Sequence, residues 1–387
     1  MAKIGITRLT LTDFRSYGYL RLDTDTRPVV ICGRNGAGKT NLLEALSFLA
    51  PGRGLRGARL SDVGRNARVS EGLTAAHVPW GVAGQLSTPH GAIDLGTGLA
   101  AGGGERRTVK INGQPAKGAG ALATHLGIVW LTPAMDRLFL EGPAGRRKFL
   151  DRLVTAFDAD HAGRIAAYDH AYRQRLRLLK TGGGDPAWFA ALEDTMARHG
   201  VALAAGRCDL VGRLSRELAG NRASPFPAAT LALVGAIDAW LQEMPAVDAE
   251  DAVRRSLWDE RRGISGAGAG PHRSDLGVAM VAPGHASHGQ PAALCSTGEQ
   301  KALLIAILFA AARLQRAKRG HAPVLLLDEI AAHLDKDRRA ALFAEILALG
   351  AQAWMTGTDM GVFRELGDSA QFLTAENGDL GPEKSPV

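Results

Sequence analysis

The stretch that decides the fold is Val29-Val-Ile-Cys-Gly-Arg-Asn-Gly-Ala-Gly-Lys-Thr-Asn-Leu-Leu-Glu-Ala-Leu-Ser-Phe-Leu49. Four apolar residues lead directly into Gly33-Arg-Asn-Gly-Ala-Gly-Lys-Thr40, which fits the pattern G-x-x-x-x-G-K-S/T. Leucines then recur at helical spacing. The stretch therefore predicts a strand, a phosphate-binding loop and a helix, the unit on which P-loop folds are built.

This glycine loop predicts ATP and Mg²⁺ as ligands. Glycines allow backbone N–H groups to curl around phosphate oxygens, and the helix that follows directs its positive end at the same anion. We expect Lys39 to reach the β- and γ-phosphates and Thr40 to ligate Mg²⁺. The chain has no Asn-Lys-x-Asp motif for reading guanine, which disfavours a GTPase. The predicted ATP-binding residues of the loop are Gly33, Arg34, Asn35, Gly36, Ala37, Gly38, Lys39 and Thr40.

A second motif predicts the catalytic side of the site. The apolar strand Val324-Leu-Leu-Leu-Asp-Glu329 ends in two acids, the Walker B arrangement. We expect Asp328 to hold Mg²⁺ through its water shell and Glu329 to orient or deprotonate the attacking water, with Lys39 as the other catalytic residue. The alternative is a strand that merely meets solvent at an acidic turn, and the glycine loop in the same chain argues against it.

A third motif, Cys295-Ser-Thr-Gly-Glu-Gln300, precedes a predicted helix over Glu299–Arg319 and resembles the signature of ABC-type ATPases. The resemblance implies contact with the γ-phosphate held by a second copy, so that ATP joins two heads. The simpler alternative is a capping box, in which Ser296 caps the helix and Glu299 reaches back to it. The residues predicted to act in trans are Ser296, Thr297, Gly298, Glu299 and Gln300.

Two later stretches also bear comparison with ABC proteins. The segment Ala332-His-Leu-Asp335 resembles the D-loop, where Asp335 fits, whereas His333 departs from the usual residue and has no predicted role. The segment Thr356-Gly-Thr358 stands where ABC transporters generally carry a histidine. The missing histidine argues against the motor subunit of a membrane transporter, which is the alternative function from another class.

The order of elements predicts an α/β fold, namely an ABC-type ATPase head of mixed sheets and helices with a mostly helical inserted lobe. We assign residues 1–132 and 257–387 to the ATPase lobe. Residues 133–256 form the inserted lobe, because their apolar residues recur at helical spacing. In this division Leu276–Val281 is a strand of the ATPase lobe, and Ala353–Thr356 is the last core strand.

Three stretches resemble the RecF family of bacterial recombination and repair ATPases. The segment Leu9-Thr-Leu-Thr-Asp-Phe-Arg-Ser-Tyr17 resembles the family's opening, whose arginine lies near the nucleotide. This implies an ATP-binding role for Arg15, with an ordinary surface turn as the alternative. The segment Gly142-Pro-Ala-Gly-Arg-Arg-Lys-Phe-Leu-Asp151 is similar to the family pattern P-x-x-R-R-x-F-L-D, and Pro271-His-Arg-Ser-Asp-Leu276 to P-H-R-D-D-L. The neutral residues that replace two acids of the family pattern are Ala134 and Met135.

The resemblance implies a recombination mediator that uses ATP to form a homodimer on gapped or junction DNA. It implies RecR and RecO as partners, and RecA loading onto single strands in recombinational repair, replication restart and the SOS response. It further implies a slow, DNA-stimulated ATPase of the cytoplasm, associated with the nucleoid. The segment between Thr40 and Cys295 is broken by glycine and proline without sustained heptads. This excludes the long coiled coil of chromosome-maintenance proteins.

Composition and charge fit a DNA-binding protein of the cytoplasm. The net charge of +7 permits binding to a polyanion, although a mildly basic globular protein is the plain alternative. The three cysteines lack zinc spacing and favour a reducing compartment. The longest apolar run, Ala302–Ala312, is too short to span a bilayer. Basic residues over 146–180 predict phosphate contact, with a solvated helix face as the alternative. The predicted DNA-binding residues are Arg146, Arg147, Arg173, Arg177 and Lys180.

Overall fold

The computed structural model describes residues 3–65, 78–101, 106–182, 185–220, 224–264, 266, 268–281, 289–332, 334–376 and 378–383. The chain divides into two compact units. Unit 1 comprises Met1–Asp136 and Leu304–Val387, and unit 2 comprises Arg137–Leu303. Within the described ranges, no helix combines the length and the apolar character that crossing a membrane requires.

The strands, in chain order, are β1 (Gly5–Phe14), β2 (Tyr17–Asp23), β3 (Val29–Cys32), β4 (Trp80–Thr88), β5 (Gly91–Leu99), β6 (Arg107–Ile111), β7 (Gln114–Pro115), β8 (Ile128–Leu131), β9 (Ala228–Val234), β10 (Asp275–Val281), β11 (Gln290–Pro291), β12 (Val324–Leu327), β13 (Ala353–Gly357), β14 (Gln371–Glu376) and β15 (Asp379–Glu383). The helices are α1 (Lys39–Ser47), α2 (Pro143–Thr155), α3 (His161–Thr181), α4 (Pro186–Gly220), α5 (Ala236–Glu243), α6 (Ala246–Arg261), α7 (Thr297–Arg319) and α8 (Lys336–Leu349).

The core of unit 1 is a six-stranded sheet in the order β15-β14-β3-β13-β12-β8, parallel except for β15. Strands β3, β8 and β12 are buried along their whole length, as expected for a parallel sheet that is covered on both faces. Because β3, β13 and β12 are parallel neighbours, their carboxyl ends meet at one edge of the sheet. This edge carries Gly33, Gly357 and Asp328 and is the usual place for a ligand in such sheets.

The prediction that Ala353–Thr356 is the last core strand was wrong. Strand β14 follows it and pairs in parallel with β3, and β15 adds an antiparallel edge. The apolar residues of β14 are Phe372, Leu373 and Ala375, too short a set for periodicity to separate a strand from a loop. The pairing with β3 is what makes this segment a core strand.

A second sheet of unit 1 is antiparallel, in the order β2-β1-β4-β5-β6-β7. Its buried face shares one apolar core with the parallel sheet, and α1 contributes Leu42, Leu43 and Leu46 to that core. The helix contacts β1 and β4 of one sheet and β12 and β13 of the other. Packing against both sheets fixes the direction in which the N-terminus of α1 points.

Unit 2 contains helices α2 to α6, the N-terminal end of α7, and an antiparallel sheet in the order β11-β10-β9. The sequence placed Leu276–Val281 in the ATPase lobe, but β10 pairs along its whole length with β9. The boundary therefore falls after Leu303, rather than at the predicted residue 257. Strand β9 lies within the segment predicted to be mostly helical, and its partner is distant in sequence, so local periodicity does not reveal the pair.

Candidate nucleotide-binding site

The glycine loop joins β3 to α1 in a conformation that excludes side chains at two positions. A Cβ atom at Gly33 would lie 2.2 Å from the carbonyl oxygen of Ala375. Gly38 has a φ of 101°, in the left-handed region that favours glycine, and a Cβ there would lie 2.8 Å from the hydroxyl of Tyr17. The G-x-x-x-x-G spacing is therefore a steric requirement of this fold as well as a ligand requirement.

The ammonium group of Lys39 lies inside the curve of the loop. Its Nζ atom donates to the carbonyl oxygens of Gly33, at 2.6 Å, and Arg34, at 3.1 Å. The residue is 5% exposed, so its charge is held within the loop rather than in bulk solvent. The loop residues Arg34, Asn35 and Gly36 are exposed, as an anion-binding loop requires.

Thr40 and Asp328 converge beside the loop, although 288 positions separate them in the chain. The Thr40 hydroxyl lies 3.1 Å and 3.0 Å from the two carboxylate oxygens of Asp328. Hydroxyl and carboxylate oxygens are the hard ligands that Mg²⁺ prefers, with phosphate oxygens and water completing its shell. The pair fits the predicted Mg²⁺ site.

Glu329 follows Asp328 in a strained conformation, with a φ of 48°. A non-glycine residue in this region costs about 1–2 kcal/mol and often marks a functional position. Its backbone N–H donates to Thr356 Oγ1 at 2.8 Å. The same buried hydroxyl donates to Asp328 Oδ1 at 2.7 Å. Thr356 thus holds both acids, a role that its position in the sequence did not predict.

Arg15 packs against the glycine-loop helix rather than towards the loop. Its Nε and Nη2 atoms donate to the two carboxylate oxygens of Glu44, both at 2.9 Å, and Nη1 donates to the Asp62 carbonyl at 2.6 Å. The Glu44 carboxylate is fully buried in α1. A direct contact between Arg15 and nucleotide stays a prediction, whereas its support of α1 is visible. Sequence reasoning missed Glu44, whose only signal is a charge inside an apolar helix.

The D-loop region supplies a helix cap. The Asp335 carboxylate accepts from the backbone N–H of Arg338 at 2.8 Å and begins α8, and His333 lies outside the described residues.

Much earlier in the chain, the 3-10 helix Pro133–Arg137 follows β8. Its Met135 packs against the apolar core of unit 1, which accounts for an apolar residue where the family has an acid.

The signature residues stand at the N-terminus of α7 in unit 2. Ser296 and Glu299 form a reciprocal capping box: Ser296 N and Oγ each lie 2.8 Å from Glu299 Oε2, and Glu299 N donates to Ser296 Oγ at 3.3 Å. Gln300 is buried and donates to the carbonyl of Cys295 at 2.9 Å. Ser296 and Thr297 are exposed, and Gly298 is half-buried. The predicted capping box is therefore present. Because Ser296 and Thr297 at the tip of α7 are exposed, the contact with a second copy stays a prediction.

The two segments of unit 2 that resemble family patterns, residues 142–151 and 271–276, are joined by hydrogen bonds and an ion pair. Arg146 makes a two-pronged ion pair with Asp275, both distances 2.8 Å, and Arg147 donates to the Ser274 carbonyl at 2.9 Å. At the end of the first pattern, Asp151 accepts two bonds at 2.8 Å from Arg207, which sequence reasoning missed. The internal bonds occupy the guanidinium group of Arg146, which argues against its predicted contact with DNA. Arg147 uses a single donor, so its contact with DNA stays a prediction.

Apart from Arg164, which pairs with Asp158, the predicted basic residues of α3 divide into two sets. Arg175, only 1% exposed, pairs with Glu193 and Glu260 and serves the core of unit 2. The other set is spaced along the helix so that its members share one face, and each is exposed. This set, the α3 basic face, consists of Arg173, Arg177 and Lys180.

Comparison with known proteins agrees with this architecture. The profile of the family described as RecF/RecN/SMC N terminal domain matches residues 5–378. The DNA replication and repair protein RecF of Mesorhizobium japonicum is 48% identical over 388 residues, covering 98% of each chain. RecF of Rhizobium etli is 47% identical over 381 residues, covering 97% of this chain and 98% of the relative.

Solved structures agree with the fold. The structure described as the recombination mediator protein RecF-ATPrS in the RecFOR pathway superimposes with a TM-score of 0.79 at 20% identity, covering 98% of both chains. The Smc head domain of Pyrococcus furiosus superimposes with a TM-score of 0.51 at 16% identity, covering 98% of this chain and 95% of the other. The predicted α/β fold of an ABC-type ATPase head is confirmed, and the chain belongs to the RecF family.

Proposed function

We propose that this chain is an ATP-dependent, DNA-binding recombination mediator that hydrolyses ATP slowly and faster on DNA. One observation carries the proposal: a chain 48% identical to a DNA replication and repair protein brings Lys39, Thr40, Asp328 and Glu329 to one edge of its parallel sheet. Membership of the RecF family argues against the alternative of a transporter motor subunit.

In this proposal the glycine loop holds the phosphates of ATP, and the Lys39 ammonium offsets their charge. Thr40 and Asp328 hold Mg²⁺, which would neutralise charge that develops on the phosphate oxygens. Glu329 orients the attacking water and accepts its proton. The buried hydroxyl of Thr356 supports both acidic residues, because it donates to the Asp328 carboxylate and accepts from the backbone N–H of Glu329.

We further propose that ATP joins two copies, with the exposed signature tip of one copy on the γ-phosphate held by the other. The α3 basic face would then bind the phosphate backbone of gapped or junction DNA. RecR and RecO would be its partners in the loading of RecA. The expected place of action is the nucleoid.

The proposal is tested by measuring the mass of the protein by light scattering, together with ATP turnover, with and without gapped DNA. We expect a dimer only with ATP, and faster turnover when DNA is added. Lys39→Met should abolish ATP binding, dimerisation and turnover together. A wild-type protein that stays monomeric at high concentration with a non-cleavable ATP analogue and Mg²⁺ would show that the dimer mechanism is wrong.

A further inference from the structure

The C-terminal end of the glycine-loop helix is held by a charged side chain from another part of unit 1. Arg107, the first residue of β6, reaches the turns that follow α1. Its Nη1 atom donates to the carbonyl oxygens of Ala50, at 3.2 Å, and Gly52, at 2.8 Å. Its Nη2 atom donates to the carbonyl of Phe48 and, at 3.2 Å, to that of Ala50. One planar group therefore joins three backbone carbonyls at the end of the helix.

Every donor of this guanidinium group is used inside the protein. Its Nε atom donates to Thr97 Oγ1 at 2.6 Å, and that hydroxyl donates to the carbonyl of Thr108 at 2.9 Å. Together with the four bonds to carbonyls, these contacts match the five N–H donors of an arginine. Burial lowers the pKa of Arg107 from 12.5 to about 10, so the group is still positively charged at neutral pH. The charge of Arg107 thus serves α1 rather than a ligand from solution.

A positive charge stabilises this end of α1. The carbonyl end of a helix carries partial negative charge, which a nearby cation offsets. The guanidinium carbon of Arg107 also lies 5.3 Å from the ring centroid of Phe48, the residue that caps α1, in the geometry of a cation–π contact. That ring packs against Phe14 and Trp80 in the core. Arg107 therefore fixes the end of α1 through both its backbone and its last aromatic side chain.

The opposite end of α1 carries the nucleotide-binding residues Lys39 and Thr40. The helix has nine residues, so at about 1.5 Å per residue its two ends are only about 13 Å apart. Thr40 Oγ1 lies 3.0 Å from a carboxylate oxygen of Asp328, and a misplacement of about 1 Å at an active site can cost about 100-fold in rate. A shift at the C-terminal end of so short a helix would therefore displace both nucleotide-binding residues.

We propose that Arg107 is a positioning residue of the nucleotide site, which holds α1 by its C-terminal end so that Lys39 and Thr40 are in place before ATP binds. This inference rests on the proposed ATP-binding function. Without Arg107, ATP binding would first have to restore the position of the helix, whereas the complex once formed would have its native geometry. Loss of Arg107 should therefore weaken ATP binding more than it slows turnover at saturating ATP.

The test replaces Arg107 with methionine, and Arg106→Met is the matched control, because Arg106 is the preceding residue in the chain and is exposed. Affinity for a fluorescent ATP analogue and the KM and kcat of ATP turnover are measured with Mg²⁺, and urea unfolding is measured without nucleotide. We expect Arg107→Met to raise Kd and KM about tenfold and to leave kcat within about twofold of the wild type, as when about one free molecule in ten has the competent helix position. Arg106→Met should match the wild type throughout.

A purely structural role for Arg107 would give a different result. The midpoint of urea unfolding would then fall in Arg107→Met, while the Kd and KM of the folded protein would equal those of the wild type, and this result would overturn the inference. If the wild type itself does not bind the ATP analogue, the proposed function and the inference both fail.

Arg107→Lys keeps the test decisive if the methionine variant does not fold. Lysine retains the positive charge, but a single ammonium group cannot bridge three carbonyls as the planar guanidinium group does. We expect this variant to raise Kd about threefold with an unchanged kcat. Wild-type affinity in Arg107→Lys would show that the bridging geometry does not position the site.

Discussion

A single buried hydroxyl organises the acidic side of the nucleotide site. Thr356 Oγ1 donates to Asp328 and accepts from the backbone N–H of Glu329. One oxygen thus satisfies a carboxylate and the backbone N–H of Glu329, the residue with the strained φ. A buried polar group left without its partner costs about 1–3 kcal/mol, so this hydroxyl stabilises the acidic side of the site.

We expect Thr356→Val to retain ATP binding and to hydrolyse ATP about 10- to 100-fold more slowly. Valine keeps the shape of the side chain but removes both hydrogen bonds, which frees the Asp328 carboxylate to turn and leaves the strained backbone of Glu329 without its acceptor. The fold-change corresponds to about 1.4–2.8 kcal/mol of activation free energy. The measurements are affinity for a fluorescent ATP analogue and steady-state turnover, with Thr356→Ser as the control that restores the hydroxyl. Normal turnover in the valine variant would contradict the role given to Thr356.

A second residue-scale prediction concerns His272, whose Nδ1 lies 2.6 Å from the hydroxyl of Tyr168. Burial, and then the neighbouring charge of Arg273, lowers its pKa from 6.5 to about 4. The unfolded chain therefore binds a proton more strongly between pH 6.5 and pH 4. It follows that the free energy of unfolding falls as the pH is lowered through this window, by up to about 3 kcal/mol.

His272→Gln should lose less stability over the same window, because glutamine does not titrate. Urea unfolding of both proteins at about pH 7 and about pH 4.5 measures the difference, and carboxylates elsewhere contribute equally to both. Parallel losses in the two proteins would show that His272 is not the group that titrates.

The sequence alone predicted those site residues that belong to a short local motif. Lys39 and Thr40 follow from glycine spacing, and Asp328 and Glu329 follow from an apolar strand ending in acids. Thr356 and Glu44 escaped prediction because their partners lie elsewhere in the chain. A threonine at the end of a strand, or an acid in a helix, acquires its role only when the sheet order and the packing of α1 bring that partner near.

Among the secondary-structure elements, α2 is held against the sheet β11-β10-β9 by contacts between the two family-pattern segments of unit 2. Arg146 on α2 reaches Asp275, the first residue of β10, and also donates to the carbonyl of Glu141 at 2.6 Å. Its side chain is 13% exposed. Breaking a partly buried ion pair of this kind leaves one charge without its partner, which costs about 2–3 kcal/mol. Arg146 therefore stabilises unit 2.

We expect Arg146→Met to lower the free energy of unfolding by about 2–3 kcal/mol and to leave DNA affinity near normal. Arg177→Met, on the exposed α3 basic face, should do the opposite: normal stability and weaker DNA binding. Chemical unfolding and anisotropy on the same gapped duplex compare the two variants. An Arg146→Met protein of full stability that binds DNA poorly would restore the original prediction of a DNA contact.

The strands show where the periodicity of apolar residues stops being informative about secondary structure. Strands β3 and β12 are short and uniformly apolar, and flanking motifs identified them. Strands β9 and β14 pair with segments distant in sequence, so their assignment depends on a partner that local patterns do not contain. The misplaced domain boundary has the same origin, because β10 belongs with β9.

At the scale of the whole molecule, ATP-dependent association depends on the tip of α7. There the capping box and the predicted trans contact involve the same residue, Ser296. A variant that only destroys the cap would weaken the helix by about 1 kcal/mol, and this loss could be mistaken for a loss of trans contact. The two roles separate when one substitution preserves the cap and another does not.

Ser296→Arg should keep ATP binding but lose both dimerisation and turnover, since a bulky side chain blocks the approach of a second copy. Ser296→Thr, which retains the hydroxyl, should behave like the wild type. Ser296→Asp gives the deciding comparison, because aspartate can still accept from the backbone N–H of Glu299 as a cap, although it loses the bond to Glu299 Oε2, and it repels a γ-phosphate. Light scattering with a non-cleavable ATP analogue and turnover assays measure all three. If Ser296→Asp dimerises and hydrolyses ATP normally, the signature serves only to cap α7, and association must use another surface.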